Sequence, residues 1–159
     1  MTSKQVFKEC PVFDSLSEAD LERLAAISLS QEWGAGVTIF TEGSPAKDLY
    51  VLERGKVALQ MQLPSAQPQF SKRITVDVAT KGDVFGWSAV VEPHKYTMSA
   101  VCLEPTKALA MDGFKLRNLL KGDQRVGYEV LSRLIGVVAS RLDETRHVLI
   151  SERLASTQV

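Results

Sequence analysis

A turn with the means to hold an anion lies just past the middle of the chain, in GDVFGWSAV at residues 82–90. A glycine, an acid, an aromatic and a second glycine precede a tryptophan and small residues, a pattern that makes a tight turn opening a short helix. Such a turn directs the backbone N–H groups of Gly86, Trp87 and Ser88 into one cavity, and the positive helix end favours a phosphate there. Gly86 lets the backbone come close, while Gly82 and Asp83 shape the turn. Trp87 is at odds with that chemistry, because a phosphate pocket favours a polar or charged neighbour. Its plain reading is a core filler rather than a stacking platform. Two nearby groups could supply a cation: Lys95 and His94 stand three and four residues before Met98. Their plain readings are a solvated loop charge and a turn residue beside Pro93.

Elsewhere the chain offers little reactive chemistry. Its two histidines, His94 and His147, and two cysteines, Cys10 and Cys102, form no CxxC pair and no clustered ligand set. No P-loop of the GxxxxGK[ST] type is present, and no motif suggests a Ser/His/Asp or Cys/His nucleophile, so an enzyme is the least favoured class. Cys10-Pro11 resembles a short haem-regulatory pair, but the four candidate residues are spaced unhelpfully for a haem or redox sensor. Two idle thiols in a reduced cytoplasm are the simple reading, with no metal and no cofactor. No apolar run reaches signal-peptide or membrane-span length, so no membrane role is expected. Lysine plus arginine and aspartate plus glutamate each total 19, and this zero balance argues against a dedicated polyanion binder.

The elements around the turn can be read from periodicity. At 159 residues the chain suits one well-packed domain with an added helix. SLSEADLERLAAIS carries Ser17 as a cap, then Leu21, Leu24, Ala25 and Ile27 at helical spacing. From about Gln31 to Met111 short apolar or alternating runs alternate with Gly/Pro/Asp punctuation, which indicates an all-β sandwich or barrel. PSAQPQFSKR at residues 64–73 reads as a polar hairpin loop. Asp112 can cap a helix over GFKLRNLL, and a proline-free helical run of roughly 30 residues follows. In that run Leu131, Ile135, Val138, Leu142, Thr145 and Leu149 keep a 4-3-4-3-4 spacing, a coiled-coil seam. A second stripe, Val130, Leu134 and Val137, can pack on the β-domain. The alternative is that the whole stripe packs on its own barrel. The expected division is a helix-flanked β-barrel over residues 1–122 and a dimerisation helix with a short tail over residues 123–159.

This order of elements resembles the cyclic-nucleotide-binding domain family, the sensory half of catabolite activator-type regulators. VFDSLSEADLERLAA, GVTIFTEGSPAKDLYVLERGKVAL, VATKGDVFGWSAVV, YTMSAVCLEPTKALAMDGFKLRNLL and VLSRLIGVVASRLDETR carry the likeness over nearly the whole chain. The resemblance implies a jelly-roll-like double-stranded β-helix barrel, mainly β with flanking helices, and a long C-terminal dimerisation helix. It also implies a ligand site at Phe85, Gly86, Trp87, Ser88, Met98, Ser99, Ala100, Thr145 and Arg146. Two departures matter. In the family an acid after FG takes the ribose hydroxyl and an arginine before SA neutralises the cyclic phosphate; here Trp87 and Met98 stand in those places. Each lost charged contact removes about 1.5–3 kcal/mol, so cyclic AMP should bind at roughly millimolar levels or not at all. Lys95 or Arg146 is the candidate replacement for the missing arginine; Arg146 reads otherwise as an ion-pairing surface residue.

Two functions compete. The first is a regulatory homodimer that binds a small nucleotide-like or anionic effector and signals through the long helix to an unknown protein partner. The second is an interaction or assembly domain whose old pocket is filled by Trp87 and Met98. Transcription-factor relatives carry a helix-turn-helix after the dimer helix, and only nine residues follow Ile150 here, so no direct DNA binding is expected.

Overall fold

The computed structural model describes residues 1–64 and 72–157. Most of the expected 64–73 hairpin loop therefore lies outside the described residues. Two short helices, α1 (Ser3–Lys8) and α2 (Glu18–Ala26), lead into eight strands: β1 (Ser28–Trp33), β2 (Thr38–Phe40), β3 (Asp48–Arg54), β4 (Val57–Gln62), β5 (Arg73–Ala79), β6 (Val84–Phe85), β7 (Ser99–Cys102) and β8 (Thr106–Asp112). A 3-10 turn, Trp87–Val90, follows β6, and helices α3 (Gly113–Gly122) and α4 (Gln124–Thr157) close the described part of the fold. The strands form two antiparallel four-stranded sheets, ordered β1-β8-β3-β6 and β2-β7-β4-β5. The jelly-roll expectation holds in this form, two facing sheets with helices on one outer side.

Alternation explains how one sheet serves two cores. Successive strand residues point to opposite faces, so Leu49 and Val51 of β3 and Leu109 and Met111 of β8 bury against the helices. Tyr50, Leu52, Ala108 and Ala110 bury against the second sheet together with Val57, Leu59, Phe85 and Ala100. The run LYVL reads as continuously apolar for this reason: both of its faces are covered. The alanines of β7 and β8 leave room for an aromatic group in the gap, where the rings of Phe40, Tyr50 and Phe85 stack with centroids 5.0–6.2 Å apart. Each such buried side chain contributes about 1.5–3 kcal/mol of transfer free energy.

The helix ends follow the expected caps. Ser17 Oγ accepts from Asp20 N at 3.2 Å and Asp112 Oδ1 from Lys115 N at 2.8 Å. Helix α1 was not foreseen, although Thr2 and Gln5 form a complete capping box at its start. Asp123 separates α3 from α4: it accepts from Val126 N through Oδ1 at 3.2 Å and from Gly127 N through its carbonyl at 2.8 Å. Helix α4 then buries Val126, Gly127, Val130 and Leu134 against the helical core, with Val137 partly covered. The other stripe, Leu131, Ile135, Val138, Leu142 and Leu149, stays 38% to 67% exposed, so it does not pack on its own β-domain.

Candidate functional site

The turn at residues 82–90 is set by local geometry. Asp83 Oδ2 accepts from both Thr80 N (2.8 Å) and Thr80 Oγ1 (3.2 Å), closing the loop between β5 and β6. Gly86 then turns the chain with φ of 74°, a left-handed conformation. That φ favours glycine, and a β-carbon there would also stand 3.2–3.3 Å from Tyr50, Asp48 and Phe40, which would have to shift by a few tenths of an ångström. The expected short helix is one 3-10 turn, whose Ala89 is fully buried. Arg117 of α3 donates from Nη1 to the Ala89 carbonyl at 2.6 Å, and Gly113 N donates to the Lys47 carbonyl at 2.7 Å. Helix α3 therefore clamps the far end of the turn.

Between this turn and the strand facing it lies a cavity of about 20 Å³, lined by Phe40, Leu59, Gly86, Trp87, Ser88, Tyr96, Thr97 and Met98. That is room for about one water molecule. No lining side chain is an acid or a base. Trp87 packs against the helical core, and Met98 against the core between the sheets. Phe40 touches both cores, and its ring lies 3.7 Å from that of Tyr96 at an interplanar angle of 12°. Tyr96 is fixed in turn: its hydroxyl donates to the Asp48 carbonyl at 2.6 Å and accepts from Asp48 N at 3.2 Å. Burial raises the Tyr96 phenol above its ordinary value, so it stays a neutral donor. On the other side of Phe40 and Tyr96 is an open recess of about 430 Å³ that also includes Ser44, Lys47, Asp48 and Tyr50.

The structure brings Gly86, Trp87, Ser88 and Met98 of the expected site together. Phe85 and Ala100 lie behind them in the inter-sheet core. Ser99 is buried, but its Oγ accepts from Glu42 N at 2.9 Å and it does not line the cavity. Thr145 and Arg146 are exposed on α4 and also lie outside the lining; the Thr145 hydroxyl donates to the Arg141 carbonyl at 2.8 Å. Lys95 is exposed in the loop before β7, outside the lining, while His94 holds φ of 56°. Phe40 and Tyr96 were missed by sequence reasoning. No strand alternation could have found Tyr96, because β7 begins only at Ser99 and Tyr96, Thr97 and Met98 all line the cavity from the loop before it. Both cysteines are buried, and burial pushes the Cys10 thiol up to about 12, which removes thiolate reactivity.

Comparison with known proteins identifies the class. The cyclic nucleotide-binding domain family model matches residues 30–123, and the chain belongs to this family. It is 23% identical over 145 residues to the CRP-like cAMP-activated global transcriptional regulator of Mycobacterium tuberculosis, covering 91% of this chain and 61% of that protein. A crystal structure of a putative cyclic nucleotide-binding protein from Geobacter metallireducens is 29% identical, covers 89% of this chain and 99% of that one, and superposes with a TM-score of 0.75. A cyclic nucleotide-binding domain from Methylobacillus flagellatus shares the fold at 18% identity, with a TM-score of 0.79 over 95% of this chain and 82% of that one. Among the described residues no helix is long and apolar enough to cross a membrane.

Proposed function

We propose that this chain is a non-enzymatic cytoplasmic regulatory module, a homodimer joined along α4, whose cassette is closed to cyclic nucleotides and which acts through contact with a partner protein. Residues 1–122 supply the cassette domain and residues 123–159 the dimer helix with a short tail. The observation that carries the reading is the cavity of about 20 Å³ walled by Phe40, Trp87, Tyr96 and Met98. Ligand pockets run to about 300 Å³ or more, and a cyclic phosphate needs a cation that this wall lacks. The seam supports the dimer: five apolar residues at coiled-coil spacing face away from the domain. Zero net charge supports a protein partner rather than DNA.

A second reading has its own support. Gly86, Trp87 and Ser88 still line the cavity, and the recess beyond Phe40 adjoins it, so a small anionic or nucleotide-like effector could be sensed if Phe40 swings aside. A thermal-shift screen of cyclic nucleotides, nucleotides and inorganic anions separates the two. A ligand present at 100 times its Kd adds about 2.7 kcal/mol, a shift of several degrees; the closed-cassette reading expects none. The dimer is tested by light scattering of Leu142→Glu, which sets two like charges opposite each other in the seam and should yield a monomer. An unchanged dimer removes the seam assignment.

A further inference from the structure

Helix α4 touches its own domain through a short apolar face, flanked by the ion pairs of Arg125 with Asp20 and of Arg133 with Asp14, and beyond these through one further ion cluster at Arg141. Val126, Gly127, Val130 and Leu134 are buried and Val137 is half-covered, and no α4 residue past Leu134 is buried among the described residues. One turn beyond Val137, Arg141 retains only 21% of its side-chain exposure. Its Nη1 donates to Asp77 Oδ2 on β5 at 2.5 Å, and its Nη2 stands 3.4 Å from Asp83 Oδ2 in the cassette turn. Both carboxylates are already oriented. Asp77 Oδ1 accepts from Val78 N at 2.8 Å, and Asp83 Oδ2 takes both donors of Thr80. The guanidinium fork thus bridges two fixed acids on separate elements, a geometry that a point charge cannot reproduce. A groove of about 640 Å³ surrounds the cluster, with Arg133 and Glu144 on its helical side. Beyond Arg141 the helix continues for sixteen residues to Thr157, about 24 Å at 1.5 Å per residue.

We propose that Arg141 is a latch joining the cassette turn to the distal half of α4, so that the turn's conformation sets the direction of that half without a ligand between them. The inference rests on the reading of α4 as the dimer helix, but the contact is within one chain and can be tested separately. Two consequences follow from the geometry. Removing Arg141 leaves Asp77 and Asp83 facing the helix without their shared cation, so the distal half loses its last tether and the two acids repel. Moving the turn moves Asp83, and with it one arm of the fork, which alters the seam from Leu142 onward.

The test measures the angle between domain and helix. Spin labels go on Glu104→Cys, an exposed loop site, and Glu152→Cys, exposed on α4. Cys10 and Cys102 are buried and do not compete. Doubly labelled chain diluted into excess unlabelled chain reports the intramolecular distance. The parent should give one narrow distribution. Arg141→Gln should broaden it, and amide exchange over residues 142–157 should accelerate roughly two- to fivefold, the upper part of the range for losing such an ion pair. Asp77→Asn with Asp83→Asn should do the same from the other side. The charge-reversed set Arg141→Glu with Asp77→Arg and Asp83→Asn, which leaves no like charge facing residue 141, should narrow the distribution again, which a purely steric role for Arg141 would not produce. An unchanged distribution in both Arg141→Gln and the double asparagine variant overturns the latch. Light scattering on the same samples reports the dimer separately, so a monomeric parent with a narrow, Arg141-dependent distance refutes the dimer and keeps the latch.

Discussion

Returning the two charged groups to the cassette, as Trp87→Glu with Met98→Arg, should not by itself create a cyclic AMP site. The groups would face the ribose hydroxyl and the cyclic phosphate, each contact contributing about 1.5–3 kcal/mol, or roughly two to four decades of affinity together. That gain is unreachable while the space holds about 20 Å³ and Phe40 stands 3.7 Å from Tyr96. Phe40 and Tyr96 line both this cavity and the recess of about 430 Å³. Phe40→Ala removes the ring and joins the two spaces. Its cost for a half-buried phenylalanine is about 2–4 kcal/mol, and the new guanidinium is destabilising until an anion pairs with it. The triple variant should therefore melt below the parent when free and recover strongly with cyclic AMP. Isothermal titration with matched melting curves reads the series. We expect roughly millimolar or no binding in the parent, no gain in the double variant, and a gain of at least one decade in the triple variant. A decade gained by the double variant alone would refute the closed cassette and favour the sensing reading. A folded triple variant with no gain would show that the amides of Gly86, Trp87 and Ser88 no longer form a phosphate cradle.

Two further substitutions test the packing that holds the helices to the domain. At Gly127 a β-carbon would stand 2.3 Å from the Leu120 carbonyl of α3, whereas at Gly136 nothing lies within 4 Å. Gly127→Ala should therefore cost about 1–3 kcal/mol or more, while Gly136→Ala should gain up to about 1 kcal/mol in helix propensity; denaturant melts giving the reverse order would refute the α3–α4 contact. Asp20 is buried on α2 and accepts from Arg125 Nη2 at 2.9 Å, and this hydrogen bond, opposed by burial, holds its carboxyl below the ordinary 3.8. A depressed folded value stabilises the protein above the unfolded one, so this contribution is complete above about pH 4 and is lost as pH falls through the folded value. Asp20→Asn should lower the neutral melting temperature and flatten the acid limb of the pH profile; an unaltered limb would remove the pair from the account.

The parts of the fold legible in the sequence were those set by short-range rules. Ser17 and Asp112 signalled their helices because a cap is a matter of two or three residues, and the exposed apolar stripe of α4 was visible because its period is fixed by one helix. The turn at residues 82–90 was legible for the same reason, since glycine is favoured at the φ of 74° that Gly86 holds beneath Tyr50 and Phe40. What the sequence hid was which side chains fill the space facing the turn. Phe40 comes from β2 and Tyr96 from the loop before β7, and only the sheet order β2-β7-β4 brings them together. The same limit hid Arg141, whose partners Asp77 and Asp83 lie about sixty residues earlier. The expected replacements for a missing cassette charge were Lys95, near Met98 in sequence, and Arg146 on α4, and neither lines the cavity. The structure instead places the rings of Phe40 and Tyr96 in the wall of the cavity and brings Arg141 to Asp83 of the same turn. On the closed-cassette proposal, the loss of a charged ligand contact is not answered by another charge: rings bury in the space facing the turn, and the latch proposed for Arg141 would couple turn and helix without a ligand.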